Sequence, residues 1–216
     1  MKYKHLFFDL DGTLIDSKRG IFNAVHYTLD KMGILAVNRP SDLNPFIGPP
    51  LRDSFRDLFN LTSADAESAT KIYREYYSKT GLYEYTIYDG IPEALKQLFE
   101  RGFIISLVTS KAESYARLII ESTPFSKCFQ TISGCELDGR RSTKHELINY
   151  TLHKLNIKPS ADVLMIGDRY HDIRGAKLSG VSSAAVLYGY GSKNELLEEA
   201  PDLFINSPFE LGSLLI

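Results

Sequence analysis

Six short apolar runs leave this sequence few ways to fold. They are Tyr3–Phe8, Phe103–Val108, Phe129–Ile132, Val163–Ile166, Ser183–Leu187 and Leu203–Ile205. Each has the length of a strand, and none shows the strict polar alternation of a half-exposed one. Strands buried on both faces belong to parallel sheets with helices above and below. Helical periodicity falls between the runs as that architecture requires. Pro92, Leu95, Leu98 and Phe99 mark one helix, with Arg101 at its basic end and Gly102 beyond. Leu147, Ile148, Thr151, Leu152 and Leu155 mark a second. The fold class expected is α/β, a Rossmann-like parallel sheet.

Between residues 16 and 85 the alternation stops. No convincing strand occurs there, but three amphipathic helices do. Ile21, Val25, Thr28, Leu29 and Met32 line the first, with Ser17 as its N-cap and Gly33 past its end. Leu51, Phe55, Leu58 and Phe59 form the second after Pro49-Pro50, and residues 63–79 the third, stopped by Gly81. Some seventy residues are too many for a βα loop. A chain of 216 residues also exceeds one domain of roughly 150. The division expected is an α/β core of 1–15 and 86–216, with residues 16–85 as an inserted helical domain.

Composition narrows the function. With 25 basic and 27 acidic residues the net charge is −2, which gives no reason to expect a nucleic-acid polymer or a membrane as partner. At 44% hydrophobic and 24% charged, the chain is too apolar for disorder. Cys128 and Cys135 lack CxxC spacing, so a structural zinc site is not expected and reduced thiols are. The opening MKYKHLFFDLDG is too short and too charged for a signal peptide, and no apolar run could cross a bilayer. A cytoplasmic location is the expectation.

The chemistry gathers where the strands end. The first run delivers Asp9 and Asp11, then Gly12-Thr13. The second ends in Thr109-Ser110-Lys111, and the fourth in Gly167-Asp168-Arg-Tyr-His-Asp172. Lys144 opens a helix between them. Taken alone, Asp11-Gly12 is a turn and Asp172 a helix N-cap. In an open parallel sheet, however, strand ends share one edge, and ligands bind there. Asp9, Asp11 and Asp168 together suit a hard, oxygen-seeking cation, for which Mg²⁺ is the natural choice. A hydroxyl and a lysine beside such a cation would hold an anion against it. The combination points to phosphoryl transfer.

These segments resemble the motifs of the haloacid dehalogenase (HAD) superfamily, in particular its phosphoglycolate-phosphatase-like and β-phosphoglucomutase-like branch. DLDGT at Asp9–Thr13 is similar to the first motif and LVTS at Leu107–Ser110 to the second. Lys144 matches the third and GDRYHD at Gly167–Asp172 the fourth, and the helical insertion matches the cap of that branch. The resemblance implies that Asp9 is a nucleophile forming an aspartyl-phosphate, and Asp11 the general acid and then base. It implies that Thr109, Ser110 and Lys144 hold the phosphoryl group. Asp9, Asp168, Asp172 and the main-chain carbonyl of Asp11 would hold Mg²⁺, with Asp172 acting directly or through water. A carboxylate at Asp11 also separates this chain from phosphonatases, which carry Ala there, and from ion-pumping ATPases, which carry Thr.

The resemblance further implies a small phosphorylated metabolite as substrate, phosphoglycolate or a nucleoside monophosphate. In the cap, Phe46–Arg52 is the most distinctive segment: Gly48 and the two prolines set a rigid turn, and Arg52 could meet a substrate anion. Arg19 and Arg56 read as solvated helix residues. Tyr188-Gly-Tyr-Gly-Ser192 either shapes the sheet edge or touches substrate. Two other readings stand beside the phosphatase. One is a sugar-phosphate mutase, which returns the phosphoryl group to its intermediate. The other is a non-enzymatic phospho-accepting receiver, although receivers carry their acceptor on a later strand and lack such an insertion.

Overall fold

The computed structural model describes residues 2–34 and 42–214. The chain divides into two compact units, with boundaries after Asp16 and after Thr86. The first unit is an α/β core and the second is helical.

The core is built on a six-stranded sheet of order β5-β4-β1-β6-β7-β8. Its strands are β1 (His5–Phe8), β4 (Ile104–Ala112), β5 (Phe129–Cys135), β6 (Val163–Gly167), β7 (Ser182–Val186) and β8 (Leu203–Ile205). All neighbouring pairs are parallel. Each strand contains or overlaps one of the six apolar runs. Crossovers are supplied by α4 (Ile91–Glu100), α5 (Glu113–Glu121), α6 (Lys144–Lys154), α7 (Tyr170–Leu178) and α8 (Lys193–Glu198). A short α9 (Leu211–Leu214) follows β8.

The central strands are largely apolar over their buried stretches because both sheet faces are covered. On one face Phe7, Val108, Val163 and Met165 pack with Leu147, Ile148 and Leu152 of α6 and Ala176 of α7. Leu6 and Phe8 point the opposite way along β1 and are just as completely buried. Two short strands, β2 (Ile15–Asp16) and β3 (Thr86–Ile87), pair as a separate ribbon along the two stretches that join the units.

The helical unit consists mainly of α1 (Lys18–Lys31), α2 (Leu51–Phe59) and α3 (Ser63–Tyr77). Ile21, Ala24, Val25, Thr28 and Leu29 of α1 are buried, as are Ala66, Ala69, Thr70, Tyr73 and Tyr77 of α3. Phe55 meets Phe46 edge-on at 4.9 Å and Tyr73 at 6.2 Å, geometries favoured by ring quadrupoles. One local expectation differs. Ser17 sits at the start of α1, but its side chain makes no capping hydrogen bond. The cap of α3 is Thr62, whose hydroxyl accepts from the Asp65 amide at 3.1 Å.

Candidate active site

Sheet register brings the polar residues together. Phe8 pairs with Leu107 on one side and Ile166 on the other. The next residue on each strand advances the alignment by one step, so Asp9, Val108 and Gly167 stand level. Asp9, Thr109 and Asp168 therefore emerge at the carboxyl ends of three adjacent strands, where open α/β sheets bind ligands. The Asp9 amide is tied to Ile166 O at 2.9 Å. Thr109–Lys111 lie inside β4 instead of in a loop, because its pairing with β5 resumes at Ala112 after an irregularity.

The loop after Asp9 turns back on itself. Leu14 N and Ile15 N both donate to Leu10 O, and Gly12 N donates to Ile15 O. Gly12 sits at φ +81°, and a Cβ there would lie 2.1 Å from Asp168 Oδ2. Only glycine allows both the backbone angle and the approach of that carboxylate.

Lys144 is the hub. A capping box, with Thr143 and Glu146 exchanging side-chain and main-chain hydrogen bonds, starts α6 and fixes Lys144 as its first residue. Its ammonium reaches Asp9 Oδ1 at 2.9 Å, Asp172 Oδ1 at 2.8 Å and Val108 O at 3.0 Å. All three donors are used, as a buried charge demands. Burial alone would lower the Lys144 pKa, but Asp172 and Asp9 outweigh it and hold the group above its ordinary value. A second pair joins Lys111 Nζ to Asp11 Oδ1 at 2.9 Å.

Asp168 is fully buried, and among the described residues no cation pairs with it. Its Oδ1 accepts from the Thr13 hydroxyl at 3.3 Å and its Oδ2 from the Tyr190 amide at 2.8 Å. Burial first, then the charges of Asp172 and Asp9, raise its pKa well above the carboxylate range. Burial likewise dominates at Asp9, pushing it from 3.8 to about 6; Lys144 opposes the shift, and Asp172 and Asp11 add to it. Asp172 lies in the first turn of α7, which Tyr170 opens, and its Oδ2 accepts from the Arg169 amide at 3.1 Å. Asp172 is therefore not the N-cap, which is Arg169, but the third residue of the helix: its Oδ2 reaches back to the N-cap amide while its Oδ1 faces Lys144.

Carboxylate oxygens of Asp9, Asp168 and Asp172 lie within 4.8 Å of one another. That is close to the spread of oxygens around one ion at about 2.1 Å. Four carboxyl groups, counting Asp11, share two ammonium groups, Lys144 and Lys111, so with every group ionised the cluster has two negative charges in excess. The donor set is all oxygen and the deficit matches one hard divalent cation, so these residues fit such an ion.

Thr109 is buried, and its hydroxyl accepts from the Lys111 amide at 3.2 Å. Ser110 is partly exposed beside it. Arg52 is exposed in the helical unit and pairs with Glu67 at 2.5 Å, while Gly48 adopts φ +108°. Thr13, Lys111 and Tyr190 lie in segments that the sequence marks, but none of the three was expected to contact the acidic residues. Lys111 stood next to the hydroxyl pair in the motif and could have been found from its position. The Tyr190 contact is made by a main-chain amide, which no residue pattern advertises.

Comparison with known proteins agrees with this geometry. The family model of the haloacid dehalogenase-like hydrolases matches residues 6–186. A 5'-nucleotidase of Pseudomonas aeruginosa is 41% identical over 203 residues, covering 93% of this chain and 90% of that protein. The pyrophosphatase PpaX of Listeria innocua is 31% identical, covering 99% and 97%. A crystal structure described as a predicted phosphatase from Clostridium acetobutylicum superimposes with a TM-score of 0.92 at 38% identity, covering 100% of this chain and 99% of that one. The chain belongs to the haloacid dehalogenase-like hydrolase family. Within it, the chain is an enzyme of the phosphatase kind, which removes the receiver reading. Among the described residues no helix is long and apolar enough to cross a membrane.

Proposed function

We propose that this protein is an Mg²⁺-dependent phosphatase that hydrolyses nucleoside monophosphates through an aspartyl-phosphate on Asp9. The observation that carries this reading is the buried triad of Asp9, Asp168 and Asp172, two of which, Asp9 and Asp172, pair with the Lys144 ammonium. Mg²⁺, when bound, neutralises phosphoryl charge and anchors the group beside the nucleophile. Asp9, Asp168, Asp172 and the Asp11 carbonyl would hold it.

An oxygen of Asp9 attacks phosphorus, and the bond from phosphorus to the leaving oxygen breaks. Asp11 gives that oxygen its proton, then as a carboxylate takes one from the water that attacks the phospho-enzyme. Inorganic phosphate leaves and Asp9 is restored. Proton transfer of this kind contributes about 10²–10⁴ in rate. Thr109 and Ser110 donate to phosphoryl oxygens, and Lys144 balances charge on Asp9 and phosphate. The helical unit serves as the cap, with Gly48 and Arg52 as its substrate-side residues; Arg52→Ala raises KM more than it lowers kcat. The location is cytoplasmic.

The 41% identical 5'-nucleotidase supports a nucleotide over phosphoglycolate. Three structures carrying the phosphoglycolate phosphatase name are 19–22% identical and speak for the fold alone. A phosphate-release screen with Mg²⁺ over nucleoside monophosphates, phosphoglycolate, pyrophosphate and hexose phosphates tests the substrate. The highest kcat/KM is expected for a nucleoside monophosphate. A hexose 1-phosphate converted to its isomer without phosphate release would establish the mutase instead.

Two further outcomes follow from the electrostatics. Asp168→Asn removes one of the three clustered carboxylates and should raise the Mg²⁺ concentration for half-maximal rate by about 10–100-fold; an unchanged titration removes Asp168 from the ligand set. With Asp9 raised to about 6, the metal-free protein keeps a proton there that the unfolded chain has lost. This group therefore favours the metal-free fold below pH 4, and that contribution disappears as pH rises through 6. Below pH 6 Mg²⁺ must displace the Asp9 proton, and any proton held by Asp168 as well, so its affinity should fall by at least about tenfold per pH unit. Calorimetric titration of the metal-free protein between pH 5 and 8 measures this, and a flat profile would contradict it.

A further inference from the structure

The segment between β7 and α8, Tyr188–Ser192, touches the acidic cluster without contributing a charge to it. Its central amide, Tyr190 N–H, donates to Asp168 Oδ2 at 2.8 Å. The glycines on either side leave no space around the same residue. A Cβ on Gly189 would stand 2.3 Å from Asp168 Cβ and 2.4 Å from Gly12 O; one on Gly191 would stand 2.0 Å from Asp168 O. Real side chains never approach so closely, so this backbone is wrapped on Asp168.

The wrap is itself anchored at three places. The Tyr190 hydroxyl donates to Asp16 Oδ1 at 2.8 Å, and the Tyr188 hydroxyl donates to Thr13 O at 3.1 Å. Farther along, Glu195 Oε1 accepts from Arg169 Nε at 2.8 Å and from the Tyr170 amide at 3.0 Å. The segment is thus fastened to the loop after β1 and to the loop after β6, the two loops that carry Asp9, Asp11 and Asp168. With Thr13 donating to Oδ1 from the other side, the Asp168 carboxylate has one donor on each oxygen. Its plane is fixed, and each oxygen keeps a lone pair for a cation.

We propose that Gly189-Tyr190-Gly191 is a clamp that sets the Asp168 carboxylate for Mg²⁺, with Tyr190 as a positioning residue. The proposal rests on the reading of Asp168 as an Mg²⁺ ligand. The Tyr190 amide orients the carboxylate, the two glycines let the backbone reach it, and the two tyrosine hydroxyls hold the backbone in place. Groups that orient metal ligands in this way are typically worth 10–100-fold in metal affinity. Tyr190→Phe removes only one anchor, while Gly189→Ala pushes directly on Asp168.

Calorimetric titration of the substrate-free protein with Mg²⁺ tests the clamp, alongside kcat and KM at saturating Mg²⁺. Tyr190→Phe should weaken Mg²⁺ binding by about fivefold and Gly189→Ala by about 10–100-fold, with substrate KM unchanged once Mg²⁺ saturates. Asp168→Asn serves as the reference. Weak binding in Asp168→Asn, with wild-type Mg²⁺ affinity in folded Tyr190→Phe and Gly189→Ala, overturns the clamp alone. Wild-type affinity in Asp168→Asn overturns the ligand reading and the clamp with it. If Gly189→Ala does not fold, Tyr190→Phe decides by itself.

Discussion

Asp9→Asn should abolish turnover while leaving the fold intact, a loss of at least about 10⁴-fold in kcat by analogy with the removal of other catalytic nucleophiles. The amide has nearly the shape of the carboxylate but cannot attack phosphorus to give a stable acyl phosphate. Folding should not suffer, because in the metal-free protein Asp9 is one of several like charges in a buried cluster. Burial and its acidic neighbours already push it to about 6. Removing that charge relieves the repulsion with Asp172 and Asp11, at the cost of one ion pair with Lys144. Thermal unfolding within a few degrees of wild type, with phosphate release lost, is the expected pair of results. Substantial release from the folded variant would remove Asp9 from the nucleophile's role.

Lys144→Met should do the opposite to stability. Its ammonium satisfies Asp9, Asp172 and the Val108 carbonyl at once. The Met side chain fills similar volume but leaves those acceptors buried and the two carboxylates facing each other. Breaking a buried ion pair from one side typically costs about 3–5 kcal/mol. For a protein of this size that corresponds to a fall in Tm of roughly 6–20 °C. Part of the cost can be avoided by protonating a carboxylate, so the loss should shrink as pH falls toward 5. Activity should drop with stability, since Lys144 also faces the phosphoryl group in the proposed mechanism. A variant with wild-type Tm at pH 8 would show that the cluster does not depend on this lysine.

The strands were legible because they are the most one-sided feature of the sequence. Leu6, Phe7 and Phe8 are fully buried on opposite sheet faces, as a parallel sheet with two covered faces requires of such a run. The end of β4 was harder to read. Its apolar stretch stops at Val108, but its pairing with β5 resumes at Ala112, so hydropathy marks where the sheet meets the site and not where the strand ends. Helix starts depended on caps: the Thr143-Lys-His-Glu146 box was present in the sequence and unused, whereas Ser17 had the right chemistry but its side chain makes no capping hydrogen bond.

At the site, Asp9, Asp168, Asp172 and Lys144 were visible as residue types at strand and helix ends, and the register brings them into one cluster. What pairs with what was not visible. The partnership of Lys111 with Asp11 depends on the offset between β4 and β1, which no spacing within either strand reveals. Asp172 is not the N-cap that its position suggested but the third helical residue, whose Oδ2 takes the N-cap amide while Oδ1 takes the lysine. The contact of Tyr190 with Asp168 is made by backbone, and only the flanking glycines hinted that something had to come close.

The central claim is a covalent phospho-enzyme on Asp9, and trapping it is the most direct measurement. In an Asp11→Asn variant the base that activates water is gone, so the intermediate should accumulate. An aryl phosphate is the right substrate for this experiment, because its leaving group needs no proton from Asp11. Rapid mixing with Mg²⁺ followed by acid quench should give one burst of phenolate per enzyme. Mass spectrometry of the peptides should then find a phosphoryl group on Asp9 alone. A phosphoryl group on another residue, or steady phosphate release with no burst and no modified peptide, would contradict the account.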